Sequence, residues 1–141
     1  MRILILGGSR FIGRRLAIEM ATSGHAVTLF NRGLTVDGIV QAVERLRGDR
    51  RSSADLTAAV SGREFDAAFD FVSYDAADAR LAVAALTGRV GHFIHISTCS
   101  VYWCTGDFPC PVPEEECDRL GDFAERPASI EYEYGYAKRK A

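Results

Sequence analysis

Apolar runs of strand length alternate along this chain with stretches that carry apolar residues at every third or fourth position. A short apolar run bounded by turn formers fits a buried strand, and the 3.6-residue repeat fits a helix with one covered face. Residues 2–6 open the series as a strand built on Ile3, Leu4, Ile5 and Leu6. A glycine-rich loop follows, after which Ile12, Leu16, Ala17 and Met20 recur at helical spacing until Ser23 and Gly24 stop the helix. Residues 26–30 form the second strand, 31–38 a turn-rich stretch, and 43–47 a weaker third strand that runs into Gly48 and Asp49. A helix is expected over 54–60, a fourth strand over 67–72, an alanine-rich helix over 75–86, and a fifth strand over 91–96 that ends at Ser97 and Thr98.

This alternation predicts βαβ units and therefore an α/β fold with a doubly wound parallel sheet, strand order 3-2-1-4-5. A ligand crevice belongs at the reversal between strands one and four. The 141 residues are expected to make one domain, 1–141. Residues 99–130 break the pattern with Pro109, Pro111, Pro113, Pro127 and the acidic run Glu114, Glu115, Glu116. That loop is far longer than the usual length of about 4–6 residues, and a functional loop and a plain surface excursion carry equal weight for it. A last helix is expected from about Glu131.

Composition removes several classes. With 48% hydrophobic and 26% charged residues the chain reads as an ordinary globular domain, and a net charge of −2 offers no broad positive field for nucleic acid. The opening apolar run is too short for a signal core or a membrane span, so a cytoplasmic protein without membrane contact is expected. Cys99, Cys104, Cys110 and Cys117 lack paired C-x2-C spacing, and His25, His92 and His95 make no ligand set, so no metal is expected. His95 reads as a packed strand residue.

The strongest chemistry lies between the first strand and the first helix. There Gly7, Gly8, Ser9, Arg10, Phe11, Ile12 and Gly13 form a turn whose backbone N–H groups and helix dipole suit a pyrophosphate. A bare strand-to-helix turn is the alternative. At the end of the second strand stand Asn31 and Arg32, where folds that select NAD place a carboxylate on the ribose. Arg32, with Arg10 approaching from the other side, suits a 2′-phosphate, which points to NADP(H). If Arg32 is solvated and Asn31 alone meets the ribose, NAD stays as the alternative. Tyr134 and Lys138 are four residues apart, so a helix would set them on one face. The ammonium would then lower the phenol from its ordinary value of about 10 toward the range of an acid–base catalyst. Tyr136 and Lys140 share that spacing, and this second register stays open.

The loop Gly7-Gly8-Ser9-Arg10-Phe11-Ile12-Gly13 resembles the G-G-x-G-F-I-G loop of extended short-chain dehydrogenase/reductases and nucleotide-sugar epimerases. Ser97-Thr98-Cys99-Ser100-Val101-Tyr102 is similar to their S-S-x-x-V-Y segment, and Tyr134-Gly135-Tyr136-Ala137-Lys138 to their Y-G-x-x-K. Together these motifs span nearly the whole chain. Arg10 departs from the pattern, standing where the middle glycine belongs, as in atypical members and in relatives of the chloroplast stem-loop RNA-binding proteins. The resemblance implies a Rossmann-like fold and a dinucleotide cofactor. It also implies Tyr134 as proton donor or acceptor, Lys138 on the nicotinamide ribose, Thr98 orienting a substrate oxygen and Asp49 beside the adenine. Gly135 favours Tyr134 over Tyr136.

In that family the Y-x-x-x-K helix precedes further strands and a substrate-binding region. The chain is therefore expected to be truncated after it, with the substrate domain absent. The implied function is an NAD(P)-dependent oxidoreductase, epimerase or dehydratase acting on a small polar molecule such as a sugar nucleotide. A non-catalytic dinucleotide-binding regulator or an RNA-associated module is the alternative, favoured by Arg10 and the missing region. Nucleic acid as a partner rests on that resemblance alone, and a homo-oligomer stays open.

Overall fold

The computed structural model describes residues 1–103, 134, 137, 138, 140 and 141. Strand β1 (Arg2–Leu6) leads through the glycine loop to helix α1 (Phe11–Thr22), then to β2 (Ala26–Asn31) and β3 (Glu44–Arg47). Helix α2 (Ser53–Val60), β4 (Phe65–Asp70), α3 (Ala76–Leu86), β5 (Val90–His95) and the single turn α4 (Ser100–Trp103) follow. The five strands form one sheet in the order β3-β2-β1-β4-β5, and every pairing is parallel. This is the doubly wound architecture and strand order that the alternation of elements predicts.

Side chains of a strand alternate between the two faces of the sheet, and the core divides accordingly. Leu4 and Leu6 join Phe30, Leu56, Val60, Ala82 and Leu86 on the face covered by α2 and α3. Ile3 and Ile5 join Ala17, Val27, Leu29 and Ile39 on the face covered by α1. Because both faces are covered, β1 is a continuous apolar run rather than an alternating one.

Local chemistry sets the helix starts. The Ser52 hydroxyl accepts from the Asp55 N–H at 3.2 Å and begins α2, and the Asp75 carboxylate accepts from the Asp78 N–H at 2.8 Å and begins α3. Helix α1 has Arg10 at the same position and no side-chain cap. The fourth strand lies two residues earlier than its apolar pattern suggests. Asp70 Oδ1 accepts from the Val72 N–H at 3.0 Å, which turns Phe71 and Val72 out of the strand. The long loop expected from Cys99 instead begins with the turn α4, and its remainder lies outside the described residues.

Candidate functional site

Where the strands end, a cleft of about 940 Å³ opens beside β1, β2 and β4. Its floor is the loop of residues 7–13, whose glycines are required by space as well as by backbone angle. Gly7 and Gly8 have φ of 98° and 79°, in the left-handed region that a Cβ disfavours. A Cβ on Gly8 would sit 2.9 Å from Leu29, and one on Gly13 would sit 3.1 Å from the Gly8 Cα and 3.2 Å from Phe71. Gly13 is therefore what lets α1 approach β1. Phe11 follows with φ 47°, a strained angle for an aromatic residue, and its side chain is 88% exposed at the cleft. The uncapped start of α1 points its first N–H groups and positive dipole end into this space.

The rim is built from the β2 and β3 ends. Asn31 spends its amide within the loop: Nδ2 donates to the Gly7 carbonyl at 3.3 Å and Oδ1 accepts from the Gly33 N–H at 2.8 Å. It braces the two loops against each other. Arg10 and Arg32 line the cleft, both exposed, and neither has an ion partner among the described residues. Asp49 is exposed at the rim and accepts the Arg51 N–H on Oδ1 at 2.9 Å. Ser9 and Ile12 complete the cleft floor. Arg47 lies over the Gly33 turn, its Nε 2.9 Å from where a Cβ there would stand.

Beneath the rim lies a charged network that the sequence reading missed. Arg50 is buried, with Nη2 2.5 Å from Asp70 Oδ2 and Nη1 3.0 Å from Asp78 Oδ1. Asp70 is 0% exposed and Asp78 2%. Burial pushes the Asp78 carboxyl up, but the Tyr74 N–H, Arg51 and Arg50 together hold it below its ordinary value. The buried Ser73 hydroxyl, Arg50 Nε and both His95 ring nitrogens have no hydrogen-bond partner among the described residues. A hint was present in the sequence, because Asp70 is a charge inside an apolar strand pattern, which demands a partner.

The three residues of the expected catalytic set lie at the same end of the sheet. Thr98 follows β5, and its hydroxyl accepts from the Ser100 N–H and donates to the Ser100 hydroxyl, both at 3.3 Å, at the start of α4. Tyr134 is helical and half-exposed, and its ring packs on Tyr74 of the cleft wall with centroids 6.4 Å apart. Lys138, also helical, is 5% exposed and donates from Nζ to the Ile96 carbonyl at 2.5 Å. Burial is the main cause that lowers the Lys138 ammonium below its ordinary value. His95 is likewise lowered, by burial first and then by Lys138. Tyr136, the alternative to Tyr134, lies outside the described residues.

A family profile described as "NAD dependent epimerase/dehydratase family" matches residues 3–141. The chain belongs to this family. Among curated proteins, it is 29% identical to the chloroplast stem-loop binding protein of 41 kDa b of Arabidopsis thaliana, over 72% of this chain and 30% of that one. It is 28% identical to 2'-dehydrokanamycin reductase of Streptomyces kanamyceticus, over 62% of this chain and 25% of that one. Among solved structures, UDP-glucose 4-epimerase from Bifidobacterium longum, in complex with NAD+ and UDP, superposes with a TM-score of 0.72. That alignment covers 99% of this chain and 46% of the other at 18% identity. The chain thus shares that fold and spans under half the length of all three proteins. No helix among its described residues is long and apolar enough to cross a membrane.

Proposed function

We propose that the cleft binds a nicotinamide dinucleotide with its diphosphate on residues 7–13, and that this cofactor is NADP(H). The observation that carries the reading is the uncapped start of α1, set against a glycine floor that no side chain fills. Ordinary helix starts satisfy their N–H groups with a side chain, as α2 and α3 do here. An unsatisfied one facing a cleft suits a diphosphate. The preference for the 2′-phosphate is supported by Arg10 and Arg32, permanently charged and free of carboxylate partners among the described residues. Asp49 serves the adenine side.

Family membership supports a hydride-transfer role for the bound cofactor in an oxidoreductase, epimerase or dehydratase acting on a small polar molecule such as a sugar nucleotide. When bound, the nicotinamide would supply the hydride chemistry. Tyr134 would move the proton, Lys138 would hold the nicotinamide ribose, and Thr98 would orient the substrate oxygen. The test compares dissociation constants for NADPH and NADH in the wild type and in Arg32→Ala at fixed salt. A wild-type preference for NADPH that shrinks several-fold in the variant supports the clamp, and equal or tighter NADH binding removes it.

A second reading is favoured by the 29% identity to a protein named for stem-loop binding: a dinucleotide-binding module without catalysis. It predicts cofactor binding in the absence of any turnover, with Tyr134→Phe silent.

A further inference from the structure

Lys138 is reached through a chain of contacts that begins at the buried network. Arg50 Nη2 grips Asp70 Oδ2 at 2.5 Å, and the other Asp70 oxygen accepts from the Val72 N–H at 3.0 Å. The backbone carbonyl of Asp70 accepts from the Ile96 N–H at 3.0 Å, and the Ile96 carbonyl accepts from Lys138 Nζ at 2.5 Å. Asp70 is thus tied at three points, by side chain to the β3–α2 loop and to its own turn, and by backbone to the strand end that holds the lysine. We propose that Asp70, gripped by Arg50, is a positioning residue for Lys138: it fixes the carbonyl to which the ammonium is tethered and supplies the anion that keeps it charged inside the fold.

Charge accounting supports this assignment. Among the described residues, the groups facing Lys138 are Asp70 at the end of β4, Arg50 from the β3–α2 loop, Asp78 on α3 and His95 on β5. His95 stands opposite Asp70 in the β4–β5 register and is held toward its neutral form by burial, so it adds no lasting charge. Among the described residues, the deeply buried set then holds two carboxylates, Asp70 and Asp78, against Arg50. Arg51 reaches Asp78 at 3.1 Å, but its side chain is 60% exposed and is shared with Asp75. A protonated Lys138 balances the buried pair of anions. Burial opposes that charge and Arg50 opposes it further, while Asp70 is the strongest group that favours it. Burial lowers the ammonium below the ordinary lysine value, Asp70 opposes that lowering, and the same arginine that locks Asp70 in place moderates the field it exerts.

The proposal rests on reading Lys138 as the lysine of the catalytic set, but its test needs neither cofactor nor turnover. The chain contains only two lysines, Lys138 and Lys140, so lysine-selective 13C labelling gives two side-chain signals whose titration NMR can follow. Lys140→Arg assigns them. In Asp70→Asn the Lys138 midpoint should fall by about one pH unit or more, because the opposite charge is gone while burial and Arg50 remain. Lys140 should not move. Simple loosening of the fold would act in the other direction, raising Lys138 toward the ordinary value as water reaches it. In Arg50→Gln the midpoint should rise. A folded Asp70→Asn protein whose Lys138 midpoint is unchanged or raised overturns the proposal. If that variant does not fold, Asp70→Ser carries the same test, and a Lys138 midpoint there that is unchanged or raised overturns the proposal equally. Lys138→Met decides the other question. Turnover that survives it removes the catalytic reading and leaves the titration result standing.

Discussion

At the edge where the strands begin, Arg2 reaches Glu64 at 3.6 Å and Asp66 at 3.9 Å, and Arg63 reaches Glu44 at 2.8 Å, with Thr28 donating to the same Glu44. At the edge where they end, Arg10 and Arg32 have no ion partner among the described residues, one helix starts without a cap, and Arg50, Asp70 and Asp78 are withdrawn from solvent. Both edges line cavities, of about 530 and 940 Å³. In the first, the lining charges Arg2 and Glu64, and Arg63 and Glu44, are paired with one another, in salt bridges that at exposed positions contribute about 0–1 kcal/mol each. The second carries unmet hydrogen-bonding and charge demand. A cavity is informative through the polar groups it leaves unsatisfied, more than through its size.

The largest break in this comparison should come from Tyr134→Phe, which removes one oxygen from the ring packed on Tyr74 at the strand-end side. Turnover measured with a substrate of the intact protein should fall by about 10²–10⁴-fold while cofactor affinity holds. Next is Gly13→Leu. The added side chain would meet the Gly8 backbone and Phe71, so dinucleotide affinity measured by titration should drop at least about tenfold in a protein whose circular dichroism remains folded. Gly62→Ala is the matched control. Its φ of 67° strains a Cβ but its surroundings are open, so it should lose about 1 kcal/mol of stability and no affinity.

A smaller effect concerns pH. His95 is lowered from 6.5 by burial first and by Lys138 second, so the folded state refuses a proton that the unfolded chain accepts. Above pH 6.5 both states are neutral and the contribution is fully present. It is lost as the pH falls through the folded value, by no more than about 1.4 kcal/mol per pH unit. Urea midpoints at pH 7.5 and 5.5 should differ in the wild type, and His95→Gln should narrow the gap. A gap that persists unchanged would place the effect elsewhere. Asp37, Glu44, Asp55 and Asp78 are all held below their ordinary values, and their losses belong to the more acidic range. Smallest of all, Arg63→Ala at the opposite edge should shift stability by less than about 1 kcal/mol and leave cofactor binding untouched.

The features legible in the sequence are those whose cause is local. The glycine loop reads correctly because a tight turn and a close helix approach demand glycine at fixed positions, and β1 reads correctly because burial on both faces makes it apolar throughout. Phe71 and Val72 are apolar and pattern as strand, yet the carboxylate of Asp70 turns them toward the cleft, where Val72 packs against Gly7. Arg50 and Asp70 are 20 residues apart, and Lys138 and Ile96 are 42 apart. Only the sheet order brings such groups together, so no spacing rule finds them. Asn31 stands at the cofactor rim by sequence position, and the structure adds that its amide braces the two loops, a role that only the fold reveals. The pairing of Tyr74 with Tyr134 is likewise a product of topology.

The central claim is that the strand-end cleft is a dinucleotide site, and direct titration of the wild-type chain tests it most plainly. Energy transfer from protein fluorescence to NADPH and NADH, confirmed by calorimetry, should give saturable one-to-one binding, tighter for NADPH and competed by a non-fluorescent dinucleotide. A folded protein that shows no saturable binding of either nucleotide at millimolar concentration would contradict it.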